Sequence, residues 1–339
     1  MNSSQVLPST PSVVDAPEPQ FLTALVARRQ AFRALHEGAC FVIPNPWDVG
    51  SARYLQHLGF PALATTSAGF AFSQGLPDSS DDLVVSRERS LTHISAITTA
   101  VDLPVTADFM SGYGRAPEDV ADSVARCIAT GVAGLSIEDS TGDSHSPLYD
   151  LPIAIERVRA ARQAIDKSGH DVLLTARAEC YHVGHADPLR ESVRRLQAYA
   201  AAGADVLFAP GAQSVAEIKT LVEAVAPKPL NLLVFRDIGL DVEEIAALGV
   251  RRISVGGALA LAAWTGFIRA ATTLRSEAAS LGWRTWCRSP ISTSSLVRTA
   301  PSRWPECDVT TFHPSERTRA DLRDRESDQS RFPLDQLAQ

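Results

Sequence analysis

Asp108 closes the stretch Val-Thr-Ala-Asp at 105–108, and a Gly-Tyr-Gly loop follows at 112–114. A carboxylate in that place interrupts what is otherwise a buried apolar run. Three more residues occupy comparable positions. Glu138 ends "GLSIE", Arg177 ends "LLTAR", and Asp78 lies in "GLPD" on a long connection. Acids that converge on one pocket need a counter-charge, and a hard divalent cation with oxygen ligands supplies one. Mg²⁺ keeps several of its waters, so a few protein oxygens suffice, and Asp108 and Glu138 are the candidates. An arginine opposite the cation suits a planar carboxylate or a phosphonate, which its fork holds bidentately. The implied ligand is a small, doubly anionic acid.

These side chains meet only if the backbone brings separate strand ends together. From Cys40 to about Leu281 a helix repeatedly ends at glycine, and a β-rich run begins a few residues later. Gly59, Gly131, Gly203 and Gly249 each mark one such junction, because glycine supplies the left-handed cap that turns the chain. Strands at Phe41–Ile43, Pro104–Asp108, Val172–Arg177 and Leu230–Val234 bring the expected number to eight. The intervening helices start at Pro117, at Asp187-Pro188, and at the capping boxes "SVAE" (Ser214) and "DVEE" (Asp241). Strands alternating with amphipathic helices imply a parallel sheet, and eight units in about 250 residues fit a closed (β/α)8 TIM barrel. Its site lies where the strands end. Other residues on that rim read more plainly. Asp139 suits a cap or loop role, Cys180 a buried thiol, and His182 with His185 a polar loop edge rather than a metal pair. Trp47 stands open between a packed lid and a substrate wall.

The rest of the chain narrows the function classes. It has 339 residues, 45% hydrophobic and 21% charged, enough for a sizeable core, and a formal charge of −7 argues against nucleic acid. Five cysteines without a CxxC pair exclude a disulfide or zinc framework and fit a reducing cytoplasm. No apolar run is long enough for a membrane span, and no signal peptide is visible. Neither GxGxxG nor GxxxxGK[ST] occurs, which weakens a nucleotide-binding reading. Three segments result: a Ser/Pro-rich disordered leader at 1–20, the barrel at 21–282, and an irregular, disordered tail at 283–339. That tail holds three of the five tryptophans.

"PNPWDVGSARYLQHLGFPALATTSAGFAFSQGLPD", "PVTADFMSGYG", "GLSIED", "LLTARAE", "PLNLLV" and "GVRRISVGGALALAA" occur in that order. Together they resemble the isocitrate lyase/phosphoenolpyruvate mutase superfamily, over Cys40 to about Ser280. The resemblance implies a (β/α)8 barrel that binds Mg²⁺ or Mn²⁺ largely through waters. By it, Asp108 and Glu138 match metal-site acids and Asp78 a third site carboxylate. Arg177 matches the substrate-anion arginine and Asn231 a polar contact on the seventh strand. Ser67, Ala68 and Gly69 match the segment whose amides hold a substrate carboxylate. The implied chemistry makes or breaks a C–C or P–C bond beside a pyruvate-like unit, through an enolate-like intermediate. The family's last helix exchanges between protomers, which implies a homo-oligomer, an expectation the atypical tail weakens.

This chain also departs from the pattern. Thr106 stands where many members have an aspartate ligand, and Met110 where related sequences have glutamate. The loop after the fourth strand reads "STGDSHSPLYD" and lacks the lyases' acid–base cysteine, leaving His145 as its candidate proton carrier. Three readings stay open: a lyase or phosphonomutase; a hydrolase of an oxaloacetate or phosphonopyruvate type; and a degenerate barrel that binds an organic acid without turnover.

Overall fold

The computed structural model describes residues 19–78 and 85–276. The expected leader falls outside that range except for its last two residues, and the expected tail lies wholly outside it. Among the described residues the order of elements is α1 (Pro19–Glu37), β1 (Phe41–Ile43), α2 (Val49–His57), β2 (Leu63–Ala64), α3 (Ser67–Ser73) and α4 (Arg87–Ala100). Then come β3 (Val105–Asp108), α5 (Pro117–Ala129), β4 (Gly134–Glu138), α6 (Leu151–Ser168), β5 (Leu173–Arg177) and α7 (Pro188–Ala201). The chain continues through β6 (Val206–Phe208), α8 (Val215–Val225), β7 (Leu230–Leu233), α9 (Val242–Ala247), β8 (Arg252–Ser254) and α10 (Ala258–Ser276).

All eight strands are parallel, in the order β1-β8-β7-β6-β5-β4-β3-β2. The two ends of that ladder meet where the Ala64 amide donates to the Pro44 carbonyl at 3.1 Å, so the sheet is a nearly closed barrel. The expected architecture is therefore the observed one. Local sequence chemistry explains where the helices start. Asp187 caps α7, and Ser214 and Asp241 open α8 and α9 with reciprocal capping boxes. Pro117 sits at the first turn of α5 with Glu118 and Asp119 beside it, which suits the positive end of the helix dipole. The four junction glycines all have positive φ.

The helix–strand repeat gives no sign of α1, and the structure shows what it does. Phe32, fully buried, packs with Phe41, Ile43, Ala62, Ala64, Ala133 and Leu173 across one end of the barrel. Arg29 fastens the helix by donating to the carbonyls of Val132 (3.0 Å) and Ile128 (3.3 Å). Gly134 makes room for this stopper, since a Cβ there would lie 2.8 Å from the Phe32 ring and 2.9 Å from Thr106 Oγ1. The main core lies between sheet and helices, with Val120, Val124, Cys127, Leu135, Ala161, Leu174 and Leu196 among its buried members. No described helix is long and apolar enough to cross a membrane.

Candidate active site

A cavity of about 1070 Å³ opens at the C-terminal ends of the strands and reaches into the barrel. Its depth is polar. Thr106, Ser136, Asn231, Ser254 and Arg252 line it below the charged rim. Arg252 is buried and bonds neutral groups: Asn231 Oδ1 (2.7 Å), Thr175 Oγ1 (3.2 Å) and His36 Nε2 (3.3 Å). Burial lowers its pKa, with no carboxylate to oppose the effect. Burial and the Arg252 charge likewise hold His36 neutral, its pKa down at about 3. Asn231, expected as a substrate contact, is 2% exposed and gives its amide to Ser254 and its carbonyl to Arg252.

The predicted charges do converge. Register places Glu138 beside Arg177, and Asp108 pairs with Ser136 one strand further. Arg177 Nη1 lies 2.7 Å from Asp108 Oδ1, Nη2 lies 3.1 Å from Glu138 Oε2, and Nε lies 2.8 Å from Glu179 Oε1. Glu179, at the end of the fifth strand in the sequence, is the acid to which motif reading assigns no role. It stands two residues beyond Arg177, on the same face of an extended chain, and that spacing was its signal. Asp139 Oδ1 accepts from the Glu179 amide at 2.9 Å, while its other oxygen accepts from Arg195 and Tyr199. Asp139 thus holds the backbone of the site and not its ligand.

The loop after β3 answers why a strand ends in a carboxylate and glycines. Asp108 is fixed by Ser67, whose amide (2.9 Å) and hydroxyl (2.8 Å) both donate to Oδ2. Met110 has φ +49, an uncommon left-handed conformation for a side-chain-bearing residue, and its carbonyl accepts from the Glu138 amide at 2.9 Å. Gly114 approaches α5 so closely that a Cβ would lie 2.3 Å from that of Asp119. The loop is thus a rigid bracket that aligns Asp108 with Glu138.

Other expected site residues sit as follows. Ser67 and Ala68 line the cavity, whereas Gly69 is buried and its amide caps onto Thr66 Oγ1 at 3.1 Å. Trp47 is half-buried, and a Cβ on Gly69 would meet its side chain at 2.9 Å. It is not among the residues that line the cavity. Asp78 lines the cavity and reaches solvent through it. The surrounding walls still raise its carboxyl pKa, and Asp108 adds to that rise. His145 is 94% exposed and turned to Asp143, outside the cavity lining. Cys180 is buried, which pushes its thiol up to about 11 and away from nucleophilic duty.

At the rim four carboxyl groups surround the one guanidinium of Arg177, while Arg252 lies deeper in the same cavity. Burial pushes Glu138 up to about 8, and neighbouring Glu179 and Asp108 add to it against Arg177. The side chains gathered here offer carboxylate oxygens, the kind of ligand a hard divalent cation takes. No group of three or more His, Cys, Asp or Glu among the described residues is arranged to hold an ion directly.

An eight-stranded parallel barrel with acids and an arginine gathered at one mouth defines a TIM-barrel protein with a charged pocket where its strands end. Residues 32–275 match the family model described as phosphoenolpyruvate phosphomutase, and the chain belongs to that family, within the isocitrate lyase/PEP mutase superfamily. A crystal structure of a Burkholderia cenocepacia J2315 protein, whose name offers both lyase and mutase, is 43% identical. It superposes with a TM-score of 0.71 over 79% of this chain and 98% of its own. The 2-methylisocitrate lyase of Escherichia coli K12 is 33% identical over 202 residues, 58% of this chain and 66% of that protein. The oxaloacetate decarboxylase of Pseudomonas putida GB-1 is 29% identical over 242 residues, covering 69% and 80% respectively.

Proposed function

We propose that the protein is a lyase that breaks the C3–C4 bond of a small 2-oxo dicarboxylic acid, one carbon removed from the 2-oxo group, leaving a pyruvate-like enolate. Oxaloacetate is the first substrate to test. One observation carries this reading: a single guanidinium, Arg177, is framed by Asp108, Glu138 and Glu179 at the mouth of the cavity. Arginine has five N–H donors, and those three bonds use three of them. Two remain for a substrate carboxylate without breaking the frame. Phe208, its ring 5.2 Å below the guanidinium, keeps the fork in plane. Ser67 and Ala68 form the facing wall, and Asp78 reaches in from the opening.

Asp108 and Glu138 would hold Mg²⁺ or Mn²⁺ through water, in keeping with the metal dependence general in the superfamily. Bound there, the ion supplies Lewis-acid polarisation of the 2-oxygen. A lid without cysteine favours an oxaloacetate-type cleavage over the methylisocitrate one. The test is calorimetry with oxalate, an enolate mimic, in the presence of Mg²⁺, followed by a pyruvate-release assay on oxaloacetate. Binding and release support the lyase. Binding with no release from oxaloacetate, phosphonopyruvate or alkylmalates favours the non-catalytic barrel, the reading that Thr106 and Met110 at the metal edge support. Absence of binding overturns both.

The same reading includes a homo-oligomer. Trp264, Phe267, Ile268 and Leu274 are exposed along α10, more apolar side chain than a lone surface helix carries. A second copy of the chain covers that face.

A further inference from the structure

Cleavage of the C3–C4 bond of a 2-oxo acid leaves an electron pair on C3, and a proton must close it. His145 was the sequence candidate, and it lies outside the cavity. The wall of the cavity holds another imidazole. His182 is half-exposed and shares the lining with Asp78, Arg177 and Asp108. Its Nδ1 lies 2.8 Å from Glu179 Oε2. Burial pushes the Glu179 carboxyl up, but Arg177 and His182 outweigh it and hold it down at about 2. An ionised carboxylate only accepts hydrogen bonds, so Nδ1 carries the hydrogen and Nε2 is left as the basic nitrogen.

The ring is also well anchored. The turn that carries it is closed by bonds from the Val183 amide to the Glu179 carbonyl (3.1 Å) and from the His185 amide to the Cys180 carbonyl (2.9 Å). Tyr181 ties the turn to α8 through Glu217 Oε1 at 3.0 Å. Two charged groups face the imidazole, Glu179 and Asp78.

We propose that His182, oriented by Glu179, is a catalytic residue that carries the proton between solvent and the enolate carbon. The inference rests on the lyase reading above. In the cleavage direction the electron pair of the broken C3–C4 bond stays on C3 as the enolate and becomes the new C–H bond, while the other fragment departs, as CO₂ in the case of oxaloacetate. The proton comes from Nε2, the ring is left neutral, and water restores it through the exposed face.

The reverse half of that step is measurable without knowing the natural substrate. In D₂O with Mg²⁺, pyruvate methyl protons exchange for deuterium only if the site forms the enolate and protonates it at carbon, which NMR follows. His182→Gln should lower that exchange about 100-fold or more, the range for loss of a general acid–base group. Oxalate affinity, which needs no proton transfer, should stay within about threefold of the wild type. Exchange within threefold of the wild type overturns the proposal. So does a fall in oxalate affinity that matches the fall in exchange, which would make His182 a binding group. Wild-type protein that binds oxalate yet exchanges no protons also overturns it. Wild-type protein that fails to bind oxalate removes the lyase reading itself, a separate and recognisable failure.

Discussion

A guanidinium that bonds three carboxyl groups is part of the fold before it is part of a binding site. Arg177, Glu138 and Glu179 expose 13%, 7% and 3% of their side chains, and removing one partner from such a group leaves charge buried without compensation. Arg177→Ala should cost about 3–5 kcal/mol of stability at neutral pH and abolish oxalate binding, by urea unfolding and calorimetry. Arg177→Lys retains the charge and loses the fork, so it should recover much of the stability while binding oxalate at least about tenfold more weakly. Glu138 gives a pH signature. Its pKa is about 8 in the fold against 4.5 in the unfolded chain, so the folded state keeps a proton the unfolded state has released. In chelator-treated protein this group's contribution to stability therefore falls as pH rises from 4.5 towards 8. Glu138→Gln should flatten that slope in a series of thermal melts. Asp108, Glu138 and Arg177 were legible because each ends a recognisable strand. Glu179 and His182 were not, because their partnership depends on a turn whose shape no motif announces. Asn231 stands where its strand position put it, in the cavity lining, and its side chain is also bonded to Arg252 and Ser254.

At the scale of elements, helix-start prolines and capping boxes set out α5, α7, α8 and α9, and junction glycines with short β-rich runs set out all eight strands, since those signals are local. The role of α1 was hidden because it is wholly tertiary. Phe32 counts only once the barrel end it fills exists. Gly134 and Phe32 form a coupled pair across that end. Gly134→Ala should cost about 1–3 kcal/mol through overpacking, and Phe32→Ala about 3–5 kcal/mol through the cavity it leaves. Together they should cost clearly less than the sum, because the truncated ring vacates the space the new methyl needs. A strictly additive double-mutant cycle would mean the two sites do not touch.

For the whole molecule, the apolar face of α10 makes a claim that light scattering settles. Phe267 is 61% exposed beside Trp264, their rings 5.5 Å apart. The full chain should run as a dimer or larger, and Phe267→Asp should shift it towards monomer. A wild-type monomer at micromolar concentration would leave that face without its partner. The stopper formed by α1 has a different outcome, for traffic. It turns the barrel into a blind well with one opening, where arrival and departure share a path. The fragment held deeper must wait for the fragment nearer the rim to go. Inhibition by the two products should therefore be unequal: the last to leave competes with incoming substrate, and the first does not.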